Sequence, residues 1–221
     1  MYVPVETTLN EKISKWEGQG GSSNQEKGLS VEHFDIILKA ISETKRPQHV
    51  GYMTSSYSAV CFKQNKYKSN EVSSEFKTHI LGNKEATVLI SEVGIAEHFT
   101  VGAFFKFDNT AYFFDSCHQA PNASYEYVKK NIEKIWNTTL NPVSKDIANS
   151  LVNKQGKNDF CAYHVLFIVE QIYQYGMPSK NPELDIKKEK KRFDEILMAV
   201  LEEKEKNKKL LAAACASHSN K

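Results

Sequence analysis

The pattern of apolar and polar positions predicts helices at both ends of the chain and strands between them. Apolar residues recur at helical spacing in four segments, which are 29–45, 124–137, 143–153 and 161–175. Ser30 is a suitable N-cap for the first of these helices. Runs rich in β-branched and aromatic residues predict three strands, which are 85–92, 98–107 and 110–115. The order helix, strands, helices indicates an α+β fold.

Composition shifts along the chain predict three parts. Residues 1–28 contain a glycine- and serine-rich run and are expected to form a flexible or variable lead-in. Residues 29–180 carry the periodic segments and are expected to form one domain. Residues 181–221 are rich in lysine and glutamate with a narrow apolar stripe, which predicts an amphipathic helix docked on that domain. The mixed pattern of 51–80 yields no assignment.

Charge and cysteine content exclude several classes of protein. The 221 residues include 29 basic and 27 acidic side chains, so the net charge is +2. This small net charge does not indicate a nucleic-acid-binding protein. The apolar runs are too short to span a membrane. The start of the chain lacks the apolar core of a signal peptide. Four scattered cysteines do not make a disulfide framework, so we expect reduced thiols and a cytoplasmic or nuclear location.

One of these cysteines, Cys161, begins an apolar helical segment directly after a polar loop. A helix N-terminus favours the thiolate form of a cysteine, which is the nucleophilic form. Asn158 and Asp159 are residue types that cap helices, and they precede Cys161. The sequence therefore predicts that Cys161 lies in the first turn of a helix, where a thiol nucleophile could be activated.

Three further residues supply the groups that a thiol enzyme requires. His98 begins one predicted strand and Asp115 ends the next, 17 positions later, so a hairpin would bring a base and a carboxylate to one edge of the sheet. Gln155 lies six positions before Cys161. Its amide and the Cys161 backbone N–H could together bind an oxyanion. We therefore identify His98, Asp115, Gln155 and Cys161 as candidate catalytic residues.

The order of these residues resembles that of the ubiquitin-like-protein-specific (SUMO) proteases, the clan CE or adenain-like cysteine peptidases. The matching stretches are "EHFTVGAFF", "YFFDS" and "KQGKNDFCAYHVLFI", and "GLSVEHFDIIL" is similar to the helix of that family that helps receive the modifier. The resemblance implies a papain/adenain-like fold with a mixed or antiparallel sheet flanked by helices. It also implies a peptidase that cleaves after the C-terminal glycine of ubiquitin, SUMO or NEDD8, without a metal or cofactor.

The sequence departs from the family pattern at several positions near the expected site. Phe99 stands where the family has tryptophan over the glycine tail of the modifier, and Phe160 and Ala162 turn the usual "DCG" into "DFCA". The family tryptophan upstream of Leu29 is replaced by Gly28. We expect Leu29, Phe99 and Phe160 to contact substrate. The departures suggest a divergent member, such as a bacterial effector secreted into a host cell.

The length of one turn decides whether His98 and Asp115 can meet. A symmetric two-residue turn at Asp108 and Asn109 would place Asp115 opposite Gly102, four residues from His98. At about 3.4 Å per residue, that separation is too large for a hydrogen bond. The proposed pair therefore requires an offset turn, a bulge or a bend.

Three alternatives remain open at this point. A zinc site could use Cys117, His118, Cys161 and His164, although neighbours on a strand point to opposite faces. An acetyltransferase effector of the same clan would use a His–Glu–Cys set, whereas this chain has Asp115. A catalytically inactive module could keep the fold and bind a ubiquitin-like protein. We expect a monomer that binds ubiquitin or a ubiquitin-like protein and its conjugates.

Overall fold

The computed structural model describes residues 28–53, 88–93, 98–156 and 160–218. The helices are α1 Val31–Lys45, α2 Ala123–Trp136, α3 Lys145–Ser150, α4 Cys161–Tyr175 and α5 Ile186–His218. The strands are β1 Val50–Met53, β2 Val88–Glu92, β3 Val101–Phe105, β4 Thr110–Phe114 and β5 Asn141–Pro142. The predicted α+β class is confirmed.

Within the described residues the strands form a mixed five-stranded sheet in the order β1-β2-β3-β4-β5. The central β2–β3 and β3–β4 pairs are antiparallel, and the outer β1–β2 and β4–β5 pairs are parallel. β3 is buried along its whole length, as its apolar sequence predicts for a central strand.

The two faces of the sheet are covered by different helices. Val101, Ala103 and Phe105 of β3 belong to a core cluster shared with α1, α4 and α5. Phe104, the alternate residue, belongs to a second cluster shared with α2. The alternation of side chains along a strand therefore divides the core into two layers.

The loop between β3 and β4 has four residues, so it is an offset turn and not the symmetric two-residue turn that would keep His98 and Asp115 apart. Phe105 pairs with Thr110, so 106–109 form the loop. Phe107 is 71% exposed and cannot extend the buried strand, Asp108 accepts the Thr110 N–H at 3.1 Å, and Asn109 adopts a left-handed φ of 57°. This offset moves β4 by two positions relative to a symmetric two-residue turn and brings its end closer to His98.

The helix α4 crosses the centre of the domain and has most of its residues buried. It contacts α1 through a hydrogen bond of 2.7 Å between the buried Tyr173 and Ser42 hydroxyls. Glu170 of α4 forms ion pairs with Lys45, at the end of α1, and with Arg192 of α5. Charged and apolar contacts together fix α4 between its two neighbouring helices.

The first turns of α5 pack on the domain through the apolar stripe that the sequence shows. Phe193 is completely buried, and its ring lies 6.4 Å from the ring of Tyr163 on α4. The Tyr163 hydroxyl donates to Asp194 at 2.8 Å. Leu210 and Leu211, further along α5, are exposed.

We expect Phe193→Ala to lower the free energy of unfolding by about 3–5 kcal/mol, because truncating a buried aromatic ring leaves a cavity. Leu210→Ala on the same helix is the matched control, since Leu210 is 59% exposed and should change stability by less than about 0.5 kcal/mol. Urea denaturation followed by circular dichroism measures both values. Equal effects of the two substitutions would contradict the packing of α5.

Several element boundaries differ from those predicted by the sequence. β1 lies mostly in a region left without assignment, and the two-residue β5 was not predicted. The helix expected over 143–153 is only Lys145–Ser150, capped by Ser144. No helix among the described residues is both long enough and apolar enough to cross a membrane.

Candidate active site

His98 and Asp115 meet at the end of the β3–β4 hairpin. His98 Nε2 lies 2.8 Å from Asp115 Oδ1. With the observed register, Asp115 follows the pair Val101–Phe114, so its position is opposite Thr100, two residues from His98. The four-residue loop therefore provides the offset that the pair requires.

The Asp115 carboxylate is held rigidly in a turn beyond β4. It is 1% exposed and accepts the backbone N–H groups of Cys117 at 2.7 Å and Gln119 at 3.1 Å. Burial would raise the pKa of Asp115, but the hydrogen bond from His98 and those from the two backbone amides outweigh it and hold the pKa below its usual value. Asp115 is therefore a fixed negative charge beside the imidazole.

Cys161 lies near the same imidazole, at the start of α4. It is the first residue of α4 and is 7% exposed. The Phe99 backbone N–H donates to its Sγ at 3.5 Å. Hydrogen bonds of His98 to Asp115 and then to Cys161 raise the pKa of His98 to about 10 against the opposing effect of burial. Nε2 contacts Asp115, which leaves Nδ1 as the ring nitrogen available to the thiol.

The position of Cys161 places its sulfur at the positive end of a helix dipole. The first hydrogen bond within α4 runs from the His164 N–H to the Phe160 carbonyl at 3.1 Å, so the N–H groups of 161–163 precede the first closed turn. Phe160 is the N-cap and makes no side-chain capping bond. Asn158 and Asp159, the capping types noted in the sequence, lie outside the described residues.

Gln155 joins the cluster through a backbone and a side-chain contact with Ser116. Its N–H donates to the Ser116 carbonyl at 2.7 Å, and its side-chain oxygen accepts the Ser116 hydroxyl at 2.8 Å. Ser116 is completely buried. Because the amide oxygen faces Ser116, the amide NH₂ is directed away from it. The NH₂ is the donor end of the amide, the end that an oxyanion requires.

Cys117 places a second thiol beside the imidazole and the carboxylate. Its Sγ lies 3.8 Å from the Gln155 side-chain oxygen. Donor atoms of Cys117, His98 and Asp115 all lie within 4.8 Å of one another. Burial, followed by the nearby Asp115 and Cys161, raises the pKa of the Cys117 thiol. The Cys117 thiol is therefore a second thiol near His98, in addition to the proposed nucleophile Cys161.

The four-residue zinc set considered from the sequence is not the one that the structure brings together. Cys117 and His118 lie in the turn after β4, not on a strand, and His118 has a left-handed φ of 58°. His164 is buried, and burial lowers its pKa to about 4, which leaves it neutral. Among the described residues the group of donors close enough for a metal is His98, Asp115 and Cys117.

The three residues expected to contact substrate lie against the core. Phe99 is 6% exposed, with its ring centroid 4.7 Å from that of Phe34 on α1. Phe160 is 2% exposed and packs edge-on against Tyr163. Leu29 is partly buried against the same core cluster. Contact of these residues with substrate stays a prediction.

Two contributors to the site were missed by the sequence reasoning. Ser116 was missed because its hydroxyl contacts Gln155, 39 positions away, and no local pattern specifies that contact. The Phe99 N–H that meets Cys161 Sγ could not be found from the sequence, because every residue type except proline offers the same donor.

No protein-family model matches the sequence, and none of the curated proteins matches it. The fold, in contrast, has close parallels among solved structures. The SUMO protease Ulp1, with its catalytic cysteine oxidised to a sulfenic acid, is similar with a TM-score of 0.59, 10% identity and coverage of 92% of this chain and 97% of that one.

Two further structures carry bound modifiers. The Ulp1 protease domain in complex with Smt3, the yeast orthologue of SUMO, gives a TM-score of 0.53 at 10% identity over 89% of this chain and 94% of that one. The Xanthomonas campestris effector XopD bound to ubiquitin gives 0.52 at 12% identity over 80% of this chain and 95% of that one. The chain thus has the fold of these cysteine proteases, as the sequence motifs imply.

Proposed function

We propose that this protein is a cysteine peptidase that cleaves peptide or isopeptide bonds after the C-terminal glycine of ubiquitin or a ubiquitin-like modifier. The observation that carries the proposal is the position of His98, whose Nε2 lies 2.8 Å from Asp115 Oδ1 and whose pKa is raised first by Asp115 and then by the thiol of Cys161. A nucleophile, a base and an orienting carboxylate in this arrangement make up a thiol-hydrolase site.

The proposed reaction follows from the roles of these groups. Cys161 attacks the carbonyl carbon of the terminal glycine while His98 holds the thiol proton and then donates it to the leaving amine. Asp115 fixes the ring orientation and stabilises the imidazolium. The Cys161 backbone N–H and the Gln155 amide bind the oxyanion. Water, deprotonated by His98, then releases the modifier from the acyl-enzyme.

Ubiquitin is the modifier that we favour, and SUMO and NEDD8 are the alternatives. The similar XopD structure contains ubiquitin and the similar Ulp1 complex contains a SUMO orthologue. Phenylalanine at position 99 in place of the SUMO-protease tryptophan supports a departure from strict SUMO recognition. A bacterial protein with this activity would act as an effector inside a eukaryotic host cell, where these modifiers occur.

The test is covalent capture by ubiquitin, SUMO or NEDD8 carrying a C-terminal electrophile. We expect wild-type protein to form an adduct that mass spectrometry assigns to Cys161, and Cys161→Ala to form none. The modifier that reacts identifies the specificity. Labelling by acetyl-CoA without any adduct would instead indicate the acetyltransferase, and binding of a modifier without an adduct would indicate the inactive binding module; either result would overturn the proposal.

Gln155→Ala should lower kcat by about 10²–10³, because it removes one donor to the oxyanion. Ser116→Ala should lower kcat less and leave KM unchanged, since it frees the Gln155 amide to rotate without deleting it. Gln174→Ala, on the exposed surface of α4, is the matched control and should retain wild-type kcat. Equal kcat values for Gln155→Ala and Gln174→Ala would remove Gln155 from the mechanism.

A further inference from the structure

The thiol of Cys117 has no role in the proposed hydrolysis, yet it lies beside two groups that do. Its Sγ, a nitrogen of His98 and an oxygen of Asp115 lie within 4.8 Å of one another. A thiol, an imidazole and a carboxylate are ligand types that Zn²⁺ binds. They come from two segments of the chain, 98 and 115–117, that the hairpin fixes together.

We infer that His98, Asp115 and Cys117 form an inhibitory binding site for a zinc-type divalent cation. The inference rests on the proposed function, because inhibition requires that His98 act as the base. It is separate from the zinc set considered from the sequence, since neither Cys161 nor His164 is a ligand and Cys161 remains the nucleophile.

The geometry needs only small movements to hold a cation. Zinc lies about 2.0–2.2 Å from nitrogen and oxygen ligands and about 2.3 Å from sulfur. The 2.8 Å separation of His98 Nε2 and Asp115 Oδ1 is somewhat short for two ligands of one ion, so the ring must move outward. The His98 side chain is 28% exposed and has room to do so. Rotation of the partly exposed Cys117 side chain brings in the sulfur.

The surroundings of the three ligands also suit metal binding. Asp115 is oriented by the N–H groups of Cys117 and Gln119, so an outer shell of hydrogen bonds already fixes the carboxylate. Three protein ligands leave a fourth, open position on a tetrahedral ion, which water can fill.

The consequence of binding is inhibition by loss of the imidazolium. The cation replaces the proton between His98 Nε2 and Asp115 Oδ1 and the proton on the Cys117 thiol. Imidazole bound to a metal through Nε2 keeps a hydrogen on Nδ1 but cannot take up a second proton, so it cannot form the imidazolium that pairs with Cys161. The metal-bound state therefore keeps the fold and the nucleophile but lacks the imidazolium that donates a proton to the leaving amine.

The test uses Co²⁺ and Zn²⁺ salts added to chelator-treated protein. Co²⁺ should produce a thiolate charge-transfer absorption in wild type and in Cys161→Ala, and Zn²⁺ should abolish it. Cys117→Ala should lose this absorption. Cys117→Ser is the second variant, because its hydroxyl preserves the size of the side chain but gives no thiolate band. Cys215→Ala, near the end of α5, is the matched control and should keep the band.

Inhibition is then measured for each variant against its own metal-free rate. Zn²⁺ should inhibit the wild type at concentrations at least about 10-fold lower than those needed for Cys117→Ser. Absence of the Co²⁺ band, or a band that depends on Cys161 and not on Cys117, would overturn the inference. The spectrum requires no substrate, so a Cys117-dependent band in a protein without turnover would refute the proposed function and leave the metal site standing.

Discussion

Cys161→Ala is expected to lower kcat on a ubiquitin or SUMO substrate on the order of 10⁶-fold, because the reaction loses its nucleophile and no acyl-enzyme can form. Binding of the modifier should persist, since the change removes one sulfur atom from a residue that is 7% exposed. Release of a fluorescent amine from the modifier's C-terminus measures turnover. Isothermal titration measures binding.

The matched control for this change is Cys215→Ala, which removes a thiol near the end of α5. It should retain the wild-type kcat. A loss of kcat in both variants would indicate damage during preparation of the protein and not the loss of the nucleophile. Near-normal turnover by Cys161→Ala would end the proposed mechanism, whatever the behaviour of the other residues.

Asp115→Asn should lower kcat by about 10⁴, because a neutral amide neither stabilises the imidazolium nor enforces the ring orientation. It should also move the alkaline limb of the kcat/KM profile to lower pH. The hydrogen bond to Asp115 is the largest cause of the raised pKa of His98, which is about 10. Wild-type His98 therefore stays protonated until the pH approaches 10, whereas the variant loses its proton nearer the usual value of about 6.5.

Asp108→Asn is the control for this prediction, since it makes the same chemical change in the same hairpin but at the exposed loop. It should leave both kcat and the alkaline limb unchanged. An Asp115→Asn profile that coincides with the wild type would show that the carboxylate does not set the protonation of His98.

The parts of the fold with a strong local signal were predicted well from the sequence. α4 spans Cys161–Tyr175, the predicted segment, because its apolar positions recur at helical spacing and Gly176 ends it in a left-handed conformation. Ser30 caps α1 as expected, accepting the His33 N–H. In both cases nearby residues determine the structure, so the sequence pattern contains the information.

The features that depend on distant partners could not be predicted. β5 contains only Asn141 and Pro142 and exists because it pairs with Thr110 and Ala111 of β4. The offset turn that His98 and Asp115 require is present, but its length could not be read from the Asp-Asn pair, which is typical of a two-residue turn, because Phe107 leaves the strand for solvent. The local turn signal could not reveal that burial of the strands favours a longer loop.

The candidate residues of the site were found by type and order, but their contacts were not. A sequence shows that His98, Asp115 and Cys161 are compatible with a thiol hydrolase. Only the tertiary structure shows that the imidazole contacts Asp115 and that Cys161 is near enough to raise its pKa. Ser116 is a second example of a contact that the sequence does not reveal. Its hydroxyl orients Gln155 across 39 positions of sequence, a contact that no local pattern specifies.

The register of the hairpin ties the spacing of the proposed base and carboxylate to the core. A slip of one residue would exchange the two faces of β4 and move Phe114 out of the layer that it shares with α4. A slip of two toward a symmetric two-residue turn would keep the faces but place Asp115 opposite Gly102, about 7 Å further along the strand from His98. The packing of the hydrophobic core thus fixes the distance between His98 and Asp115. A core substitution that shifts β4 would abolish catalysis even though every proposed catalytic residue is still present in the sequence.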